Sequence, residues 1–248
     1  MSKIRINIEE SFENPCEVAD NAVKEGDHII NIPLSFWMKE EGHNGLPIYY
    51  YQNELIEING KKNFGNMVQT LIPILGINKE NFFEFLTSHD GYQFLDPDAD
   101  PDDFGKPITE KYNWTNTGSN LSKVQAEYAN LKFPCCIPSR DYIVMNAHDF
   151  SNHRWFCKSI HLPDRLGQTS YRNDDGAIRS GSCVRMAYAV YYYIEEDTNT
   201  DNSCILRVIQ WIDMQGWLTF NKIANNDYIK KLQERAKNIS NNILINRT

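Results

Sequence analysis

The sequence predicts an α+β fold in which one large antiparallel sheet packs against a long C-terminal helix. Two segments, 177–194 and 204–213, are rich in Val, Ile, Tyr and Trp, which is typical of strands. The polar segment 195–203 separates them, so we expect an antiparallel hairpin. From Phe220 to Ile243, apolar residues recur at intervals of three or four, and this period predicts a helix of roughly seven turns with one apolar stripe.

The other elements follow in chain order. Residues 14–25 have a weak helical pattern that ends at Gly26. Three strand-like segments joined by Gly-containing turns then predict a meander, and Asn78 is a candidate N-cap for a short, Phe-rich helix. From Pro107 onward the chain is again strand-like, so the predicted sheet has about nine strands. The meander segments are 35–42, 46–52 and 64–75, and the later strand segments before the hairpin are 108–116, 120–131, 140–148 and 153–161.

The first strand of the C-terminal hairpin has no obvious solvent face. Val190 and Tyr192 lie on one face, and Ala189 and Tyr191 lie on the other, so both faces must be covered. Two interpretations remain open: a fully packed core of sheet and helix, or a curved sheet that grips the helix around a cavity. We expect the segments 182–194 and 204–213 to line an elongated interior cavity.

Length and charge limit the possible classes of protein. The 248 residues include no linker rich in Pro, Gly or Ser, so we expect one domain, 1–248, with a core at about 33–245 and an N-terminal helix and extension at 1–32. The net charge of -8 argues against nucleic-acid binding. No apolar run approaches the roughly 18 residues of a membrane span. The chain does not start with an apolar signal core, so we expect a cytoplasmic protein.

Motifs for metal binding and catalysis are missing from the sequence. The six cysteines show no metal-ligand spacing with the six histidines. The acidic segment 95–103 fails as a calcium loop because Pro101 and Pro107 fall where the sharp turn and the bidentate acid are needed. The chain contains no GxSxG, GxGxxG, GxxxxGK[ST] or HExxH. We therefore expect no cofactor, no metal and no assembled catalytic set, although Glu127, Tyr142 and His148 are residue types that an enzyme could use.

Three short motifs resemble those of the START (steroidogenic-acute-regulatory-related lipid transfer) domain family. They are Pro-Ser-Arg-Asp-Tyr at 138–142, Gly-Ala-Ile-Arg at 176–179 and Asp-Met-Gln-Gly-Trp-Leu at 213–218. The likeness covers about residues 33–245 in element order, and the identities cluster after Pro138. The resemblance implies a helix-grip fold, in which a curved antiparallel sheet holds the C-terminal helix and one lipid fills a tunnel between them.

The same resemblance implies functional residues. In sterol-type members, an acidic and a basic residue meet inside the cavity; the acidic position falls on Glu127, and the basic position falls on Asn146. Segment 131–139 would be an omega loop that closes the tunnel beside the last helix, and the two would open together. The implied lipid-binding residues are Glu127, Tyr142, Val144, Asn146, Arg185, Tyr188, Tyr192 and Trp211. The implied gate consists of Leu131, Phe133, Cys135, Cys136, Ile137, Phe220, Ile223, Ala224 and Tyr228.

A basic bias at the C-terminus indicates a membrane contact. Segment 219–248 has a local charge of +4 in this acidic chain, and a helix with an apolar stripe and a basic flank suits a transient membrane contact. A solvated helix face is the alternative explanation. The candidate contact residues are Lys230, Lys231, Arg235 and Lys237.

The leading functional hypothesis is a non-catalytic carrier that moves one lipid between membranes. A phospholipid or similar polar lipid is favoured over a sterol, because Asn146 stands where sterol-type members have Arg. The expected partners are a lipid ligand and, transiently, a membrane surface; we expect no nucleic acid and a monomeric protein. The alternatives are an enzyme that uses the same cavity, such as a cyclase or thioesterase-like relative, and a lipid-sensing regulatory module.

Overall fold

The structure is a computed structural model. It describes residues 3–7, 15–58, 60–62, 66–95, 113–115, 121, 123–131, 140–160, 169–171, 178–180, 184–185, 187–213 and 221–245, and for some of these positions only the backbone is described. The four helices are α1 (Pro15–Ile30), α2 (Lys79–Leu86), α3 (His89–Leu95) and α4 (Asn221–Ile245).

The strands of the first half of the chain are β1 (Ile4–Ile6), β2 (Met38–Glu41), β3 (Pro47–Tyr50), β4 (Ile56–Ile58), β5 (Lys61–Lys62) and β6 (Asn66–Ile74). Those of the second half are β7 (Asn113–Thr115), β8 (Lys123–Leu131), β9 (Arg140–Asp149), β10 (Arg154–Ser159), β11 (Thr169–Tyr171), β12 (Ile178–Ser180), β13 (Val184–Arg185), β14 (Ala187–Glu196) and β15 (Cys204–Asp213). Short 3-10 helices lie at Leu34–Phe36, His43–Gly45 and Asn53–Leu55.

One large sheet dominates the fold. Its strands lie in the order β2-β3-β6-β15-β14-β10-β9-β8-β7, and β13 adds to β9. Every neighbouring pair along this order of nine strands is antiparallel, whereas β13 runs parallel to β9. The prediction of an α+β fold with about nine antiparallel strands and a long C-terminal helix is therefore confirmed. Two small sheets, β1-β4-β5 and β11-β12, complete the described strands.

The predicted C-terminal hairpin is formed by β14 and β15. Their register runs from Ala187 opposite Asp213 to Glu196 opposite Cys204. Seven of the ten residues in each strand are buried, and they include residues of both faces, because helices cover the sheet on both sides. The predicted single strand at 177–194 is represented by β12, β13 and the first part of β14.

The two faces of the sheet pack against different helices. We call the face toward α1 the outer face; its core includes Val18, Ile29, Phe156, Tyr191 and Trp211. We call the face toward α2, α3 and α4 the inner face. Its core includes Phe82, Leu95, Val190, Val208 and Ile229. No helix in the described part of the chain is long and apolar enough to cross a membrane.

Candidate functional site

The inner face carries a row of polar side chains across its centre. Because side chains alternate along a strand, the register places one residue from each of six neighbouring strands in this row. From β6 to β8 the row reads Val68, Gln210, Val190, Cys157, Asn146 and Gln125. All six side chains are buried. Four of the six therefore place polar atoms in an otherwise apolar core.

A hydrogen-bonded polar cluster occupies the β8-β10 end of this row. The Gln125 amide donates to the carboxylate of Glu127, which is itself 5% exposed. The indole Nε1 of Trp155 donates to Asn146 Oδ1 at 2.8 Å. The Cys157 thiol lies 2.9 Å from the hydroxyl of Tyr188. These bonds offset the cost of burying polar groups.

Aromatic rings and helix α3 close over the cluster. The ring of Tyr92, in α3, packs edge-on against Trp155 at a centroid distance of 4.9 Å. Trp155 in turn contacts Tyr192 at 5.1 Å and stacks on His148 at 5.0 Å. The cluster is thus separated from water by α3 on one side and by the sheet on the other.

Burial keeps Cys157, Tyr92 and His148 neutral. Burial raises the pKa of the Cys157 thiol well above its ordinary value, and the nearby Glu127 adds to the rise. Burial also raises the pKa of Tyr92, again with a contribution from Glu127. Burial lowers the pKa of His148 to about 3, and Lys123 lowers it further. At neutral pH these three groups are therefore uncharged, and the protonated thiol is a weak nucleophile.

Helix α4 is tied to the inner face by polar contacts as well as apolar ones. The Tyr228 hydroxyl lies 3.1 Å from that of Tyr192, and the Tyr50 hydroxyl donates to Asn226 Oδ1. One turn further along, Gln233 donates to Thr70 Oγ1 at 2.8 Å and accepts from the backbone N–H of His43 at 2.8 Å. Helix α4 therefore covers the inner face of the sheet at these contacts.

Comparison with known proteins identifies the fold. No protein-family model matches the sequence, and no curated protein sequence matches it. Among solved structures, human STARD10 matches with a TM-score of 0.53 and 10% identity over 86% of this chain and 78% of STARD10. The lipid transfer and protein localization domain of human StarD13 matches with a TM-score of 0.52 and 12% identity, covering 89% of this chain and 95% of that domain.

This chain has the START fold. The sheet that α4 closes from one side is the helix-grip arrangement that the sequence motifs implied, so the predicted resemblance is confirmed at the level of fold. Identities of 10% and 12% support the fold and leave ligand and activity to be argued from the residues.

Within this START fold, five of the eight predicted lipid-binding residues lie together on the inner face. Glu127 and Val144 are direct cross-strand neighbours, as are Asn146 and Cys157. Tyr188 and Tyr192 lie on the same face two strands away from β9. All of these are buried except Tyr188, which is half-buried. The five predicted residues are Glu127, Val144, Asn146, Tyr188 and Tyr192.

Of the other three predicted lipid-binding residues, Trp211 is the one whose side chain the structure describes, and it lies on the opposite face. Trp211 packs into the outer-face core against α1, because odd-numbered positions of β15 point to that side. The side chains of Tyr142 and Arg185 lie outside the described residues; their backbones pair with Ala129 and Asp141. The structure therefore separates Trp211 from the inner face.

The predicted gate falls mostly outside the described residues. Phe133, Cys135, Cys136, Ile137 and Phe220 lie there entirely, and only the backbone is described for Leu131, Ile223 and Ala224. Tyr228 is described, and its hydroxyl contacts Tyr192 on the inner face. Tyr228 thus joins the helix to one of the predicted lipid-binding residues.

The predicted membrane-contact residues differ in exposure. Lys230, Lys231 and Lys237 are exposed, and Lys231 lies 3.2 Å from Asp227 one turn earlier. Arg235 is half-buried, and its Nη2 donates to the backbone carbonyl of Leu95 in α3 at 2.9 Å. Arg235 is therefore a contact between two helices, whereas the three lysines face solvent.

The sequence motifs missed two residues of the inner face. Gln210 and Gln233 are buried at 2% and 0% exposure. Gln210 could be found from the alternation of residues along β15, where it stands between Val208 and Ile212 on the same face. Gln233 could be found from its place next to Leu232, a residue of the apolar stripe of α4. A buried amide in an apolar pattern is the informative signal, since such groups need hydrogen-bond partners.

Proposed function

We propose that this protein is a carrier that binds one lipid between the inner face and α4 and moves it between membranes. The observation that supports the proposal most strongly is the composition of the inner face under α4. It combines apolar walls with a small buried cluster of amide, hydroxyl and carboxyl groups. Lipid sites have this composition, because burial of chain carbons contributes about 0.8 kcal/mol per methylene while a few polar groups choose the head group.

We infer further that a polar lipid, such as a phospholipid, is preferred to a sterol. Asn146 is neutral, and its carbonyl oxygen accepts a hydrogen bond from Trp155. Gln125 lies beside Glu127 on β8, where the Gln125 amide donates to the Glu127 carboxylate, and Val144 lies opposite it on β9. The acidic and basic pair implied for sterol-type members is therefore not formed by Glu127 and Asn146. Amides and hydroxyls around a carboxyl group suit a head group that offers several hydrogen bonds.

Release of the lipid requires movement of α4. The Tyr192–Tyr228 and Tyr50–Asn226 contacts hold the first half of the helix to the sheet, and Gln233 makes two further bonds. Hydroxyl contacts of this kind can break and re-form without unfolding the sheet. We propose that the first half of α4 swings away from the sheet while the Gln233 contacts hold its middle.

The test is to extract lipid from protein purified without detergent and to identify it by mass spectrometry. We expect about one lipid per protein, and we expect the purified protein to move a fluorescent phospholipid between vesicle populations. The mass of the lipid should be unchanged after incubation with the protein, since a carrier makes and breaks no covalent bond. Protein that contains no lipid and transfers none would contradict the proposal.

A further inference from the structure

Gln210 is a buried polar residue of the inner face, on strand β15, which packs against α4. Its strand neighbours in the row are Val190 and Val68. The adjacent inner-face positions of β15, Val208 and Ile212, belong to the same core as Ile229 and Leu232 of α4. The side chain is 2% exposed. Its amide therefore lies among apolar side chains, on the side of the sheet that the helix covers.

The amide of Gln210 differs from the other buried amides of this face. Gln125 donates to Glu127, Asn146 accepts from Trp155, and Gln233 bonds to Thr70 and to the backbone of His43. In the part of the chain that the structure describes, the side-chain oxygen of Gln210 is buried without a hydrogen-bond partner. Buried polar groups are seldom left in that state, because the lost hydration is not recovered.

We propose that the partner of Gln210 is a free hydroxyl or amide N–H group beside the chains of the bound polar lipid, and that Gln210 thereby selects, among lipids with the same head group, those that carry such a donor. This inference rests on the proposed carrier function. A diester phospholipid such as phosphatidylcholine offers only acceptor oxygens near its chains, and it leaves the Gln210 oxygen unsatisfied. A sphingoid lipid carries both a hydroxyl and an amide N–H at the corresponding place.

A lipid hydroxyl suits either orientation of the amide, and the selectivity follows from the orientation in which the unsatisfied oxygen faces the lipid. If the oxygen of Gln210 faces the lipid, a hydroxyl or N–H donates to it; if the nitrogen faces the lipid, the hydroxyl oxygen accepts from it. A hydroxyl therefore satisfies both orientations, whereas an ester carbonyl satisfies only one. A site that hydrogen-bonds a ligand hydroxyl discriminates against analogues that lack it, because its own polar group is then left unpaired.

Gln69 provides a matched control. It lies on the neighbouring strand β6 and is 1% exposed, and its side-chain oxygen also lacks a partner among the described residues. Gln69 pairs with Ile209, an outer-face residue, so its side chain lies on the α1 side of the sheet. Replacement of Gln69 by Leu makes the same chemical change on the face where no lipid is proposed.

The experiment compares fluorescent short-chain sphingomyelin with fluorescent short-chain phosphatidylcholine. The two probes share the phosphocholine head group, and the sphingomyelin alone carries a hydroxyl and an amide N–H. We expect the unmodified protein to bind sphingomyelin at least about tenfold more tightly. Gln210→Leu should reduce this preference to less than about threefold, mainly by weakening sphingomyelin, while Gln69→Leu should retain it.

The outcomes separate this inference from the carrier function. If the protein binds both probes equally, or if Gln210→Leu keeps the full preference, the role of Gln210 is wrong and the carrier function stands. If the protein binds neither probe and yields no lipid on extraction, the carrier function itself fails. If circular dichroism shows that Gln210→Leu does not fold, Gln210→Met is used instead, because it replaces the amide by a side chain of similar length. Its preference for sphingomyelin over phosphatidylcholine is then measured in the same way.

Discussion

Lys158 is fully buried on the outer face of the sheet, where its Nζ lies 3.1 Å from a carboxylate oxygen of Glu25 in α1. Glu25 also accepts from the backbone N–H of Asn7 at 3.0 Å, and Tyr191 lies nearby on β14. Burial raises the pKa of Glu25, while Lys158 and the hydrogen bonds oppose the rise. Two buried charges that satisfy each other fix the position of α1, although such a pair contributes little net stability.

We therefore predict that Lys158→Met lowers the free energy of unfolding by about 3–5 kcal/mol, because it leaves the Glu25 carboxylate without its ammonium partner. The double variant Glu25→Gln/Lys158→Met should recover at least half of that loss, since it removes both charges. Urea denaturation of the two single variants and the double variant measures these values. A loss in Lys158→Met below about 0.5 kcal/mol, the range of ordinary surface substitutions, would show that the pair is not desolvated.

The pH dependence of stability tests the same pair. The folded protein binds the Glu25 proton more tightly than the unfolded chain does, because the folded pKa lies above the ordinary value. The contribution of this group is therefore fully present below the unfolded pKa, and it is lost as the pH rises through the folded pKa. Glu25→Gln should therefore remove the fall in the free energy of unfolding that Glu25 causes between its unfolded and its folded pKa.

At the inner face, Asn146 is the residue that tests lipid selectivity. We expect phosphatidylcholine to compete better than a fluorescent sterol, because Asn146 supplies no positive charge beside Glu127 and its oxygen is bonded to Trp155. Competition binding with the two fluorescent lipids measures the difference. A tenfold preference for the sterol, about 1.4 kcal/mol, would contradict the prediction.

Single residues also show where sequence reasoning stopped. The motif 138–142 and the parity of β14 placed Val144, Asn146, Tyr188 and Tyr192 on one face. Parity could not place Trp211, because β15 is apolar on both sides and either register satisfies the pattern. The Glu25–Lys158 pair joins positions 133 apart in sequence, and no local pattern predicts such a contact.

At the scale of elements, α1 approaches the sheet most closely at Gly26. A Cβ atom at this position would lie 2.5 Å from the hydroxyl of Tyr193 and 2.8 Å from Cε1 of Phe156. Arg154 strengthens the docking by bonding Asp27 in the next position of α1 at 2.7 Å and Asp149 of β9 at 3.0 Å. The weak helical pattern at 14–25 predicted a helix that ends at Gly26. In the structure α1 continues to Ile30, so Gly26 lies inside the helix, and its small size permits this packing.

We predict that Gly26→Ala destabilises the protein by about 1–3 kcal/mol, the usual range for overpacking. The change should raise intrinsic helix propensity by roughly 1 kcal/mol, so a net loss identifies the contact with the sheet as the dominant effect. Thermal denaturation measures the change. Lys24→Ala, at an exposed position of the same helix, is the control and should change stability by less than about 0.5 kcal/mol. An unchanged or higher stability in Gly26→Ala would show that α1 is only loosely docked.

The elements that were hardest to predict are those whose partners are distant in sequence. The hairpin β14-β15 and the helix α4 followed from periodicity alone, because each is long and strongly apolar. The position of β15 between β6 and β14 was not predicted, because local patterns do not fix which distant strands pair. The packing of α1 on the outer face was not anticipated, since its predicted pattern was weak and its buried acids resembled solvent-exposed ones.

At the scale of the whole molecule, the positive charge is concentrated on the solvent side of α4. The chain carries a net charge of -8, whereas segment 219–248 carries +4. Arg235 is bonded to α3, and the exposed basic residues among the described side chains of α4 are Lys230, Lys231 and Lys237. Because α4 also closes the proposed lipid site, a membrane attracted by these lysines would meet the element that has to move.

We predict that Lys230→Gln/Lys231→Gln/Lys237→Gln weakens binding to vesicles that contain anionic lipid and slows lipid transfer to them, while the lipid already bound stays unchanged. Each lysine near the surface contributes up to about 1 kcal/mol, so the partition coefficient at low salt should fall roughly tenfold or more, and added salt should shrink the difference.

The control is Lys3→Gln/Lys24→Gln/Lys39→Gln, which removes the same charge from exposed positions away from α4. Equal losses in the two variants would indicate a general charge effect. Unaltered transfer in the α4 variant would mean that its lysines form only a solvated helix face. A loss confined to the α4 variant would show that the helix presents the lipid site to the membrane.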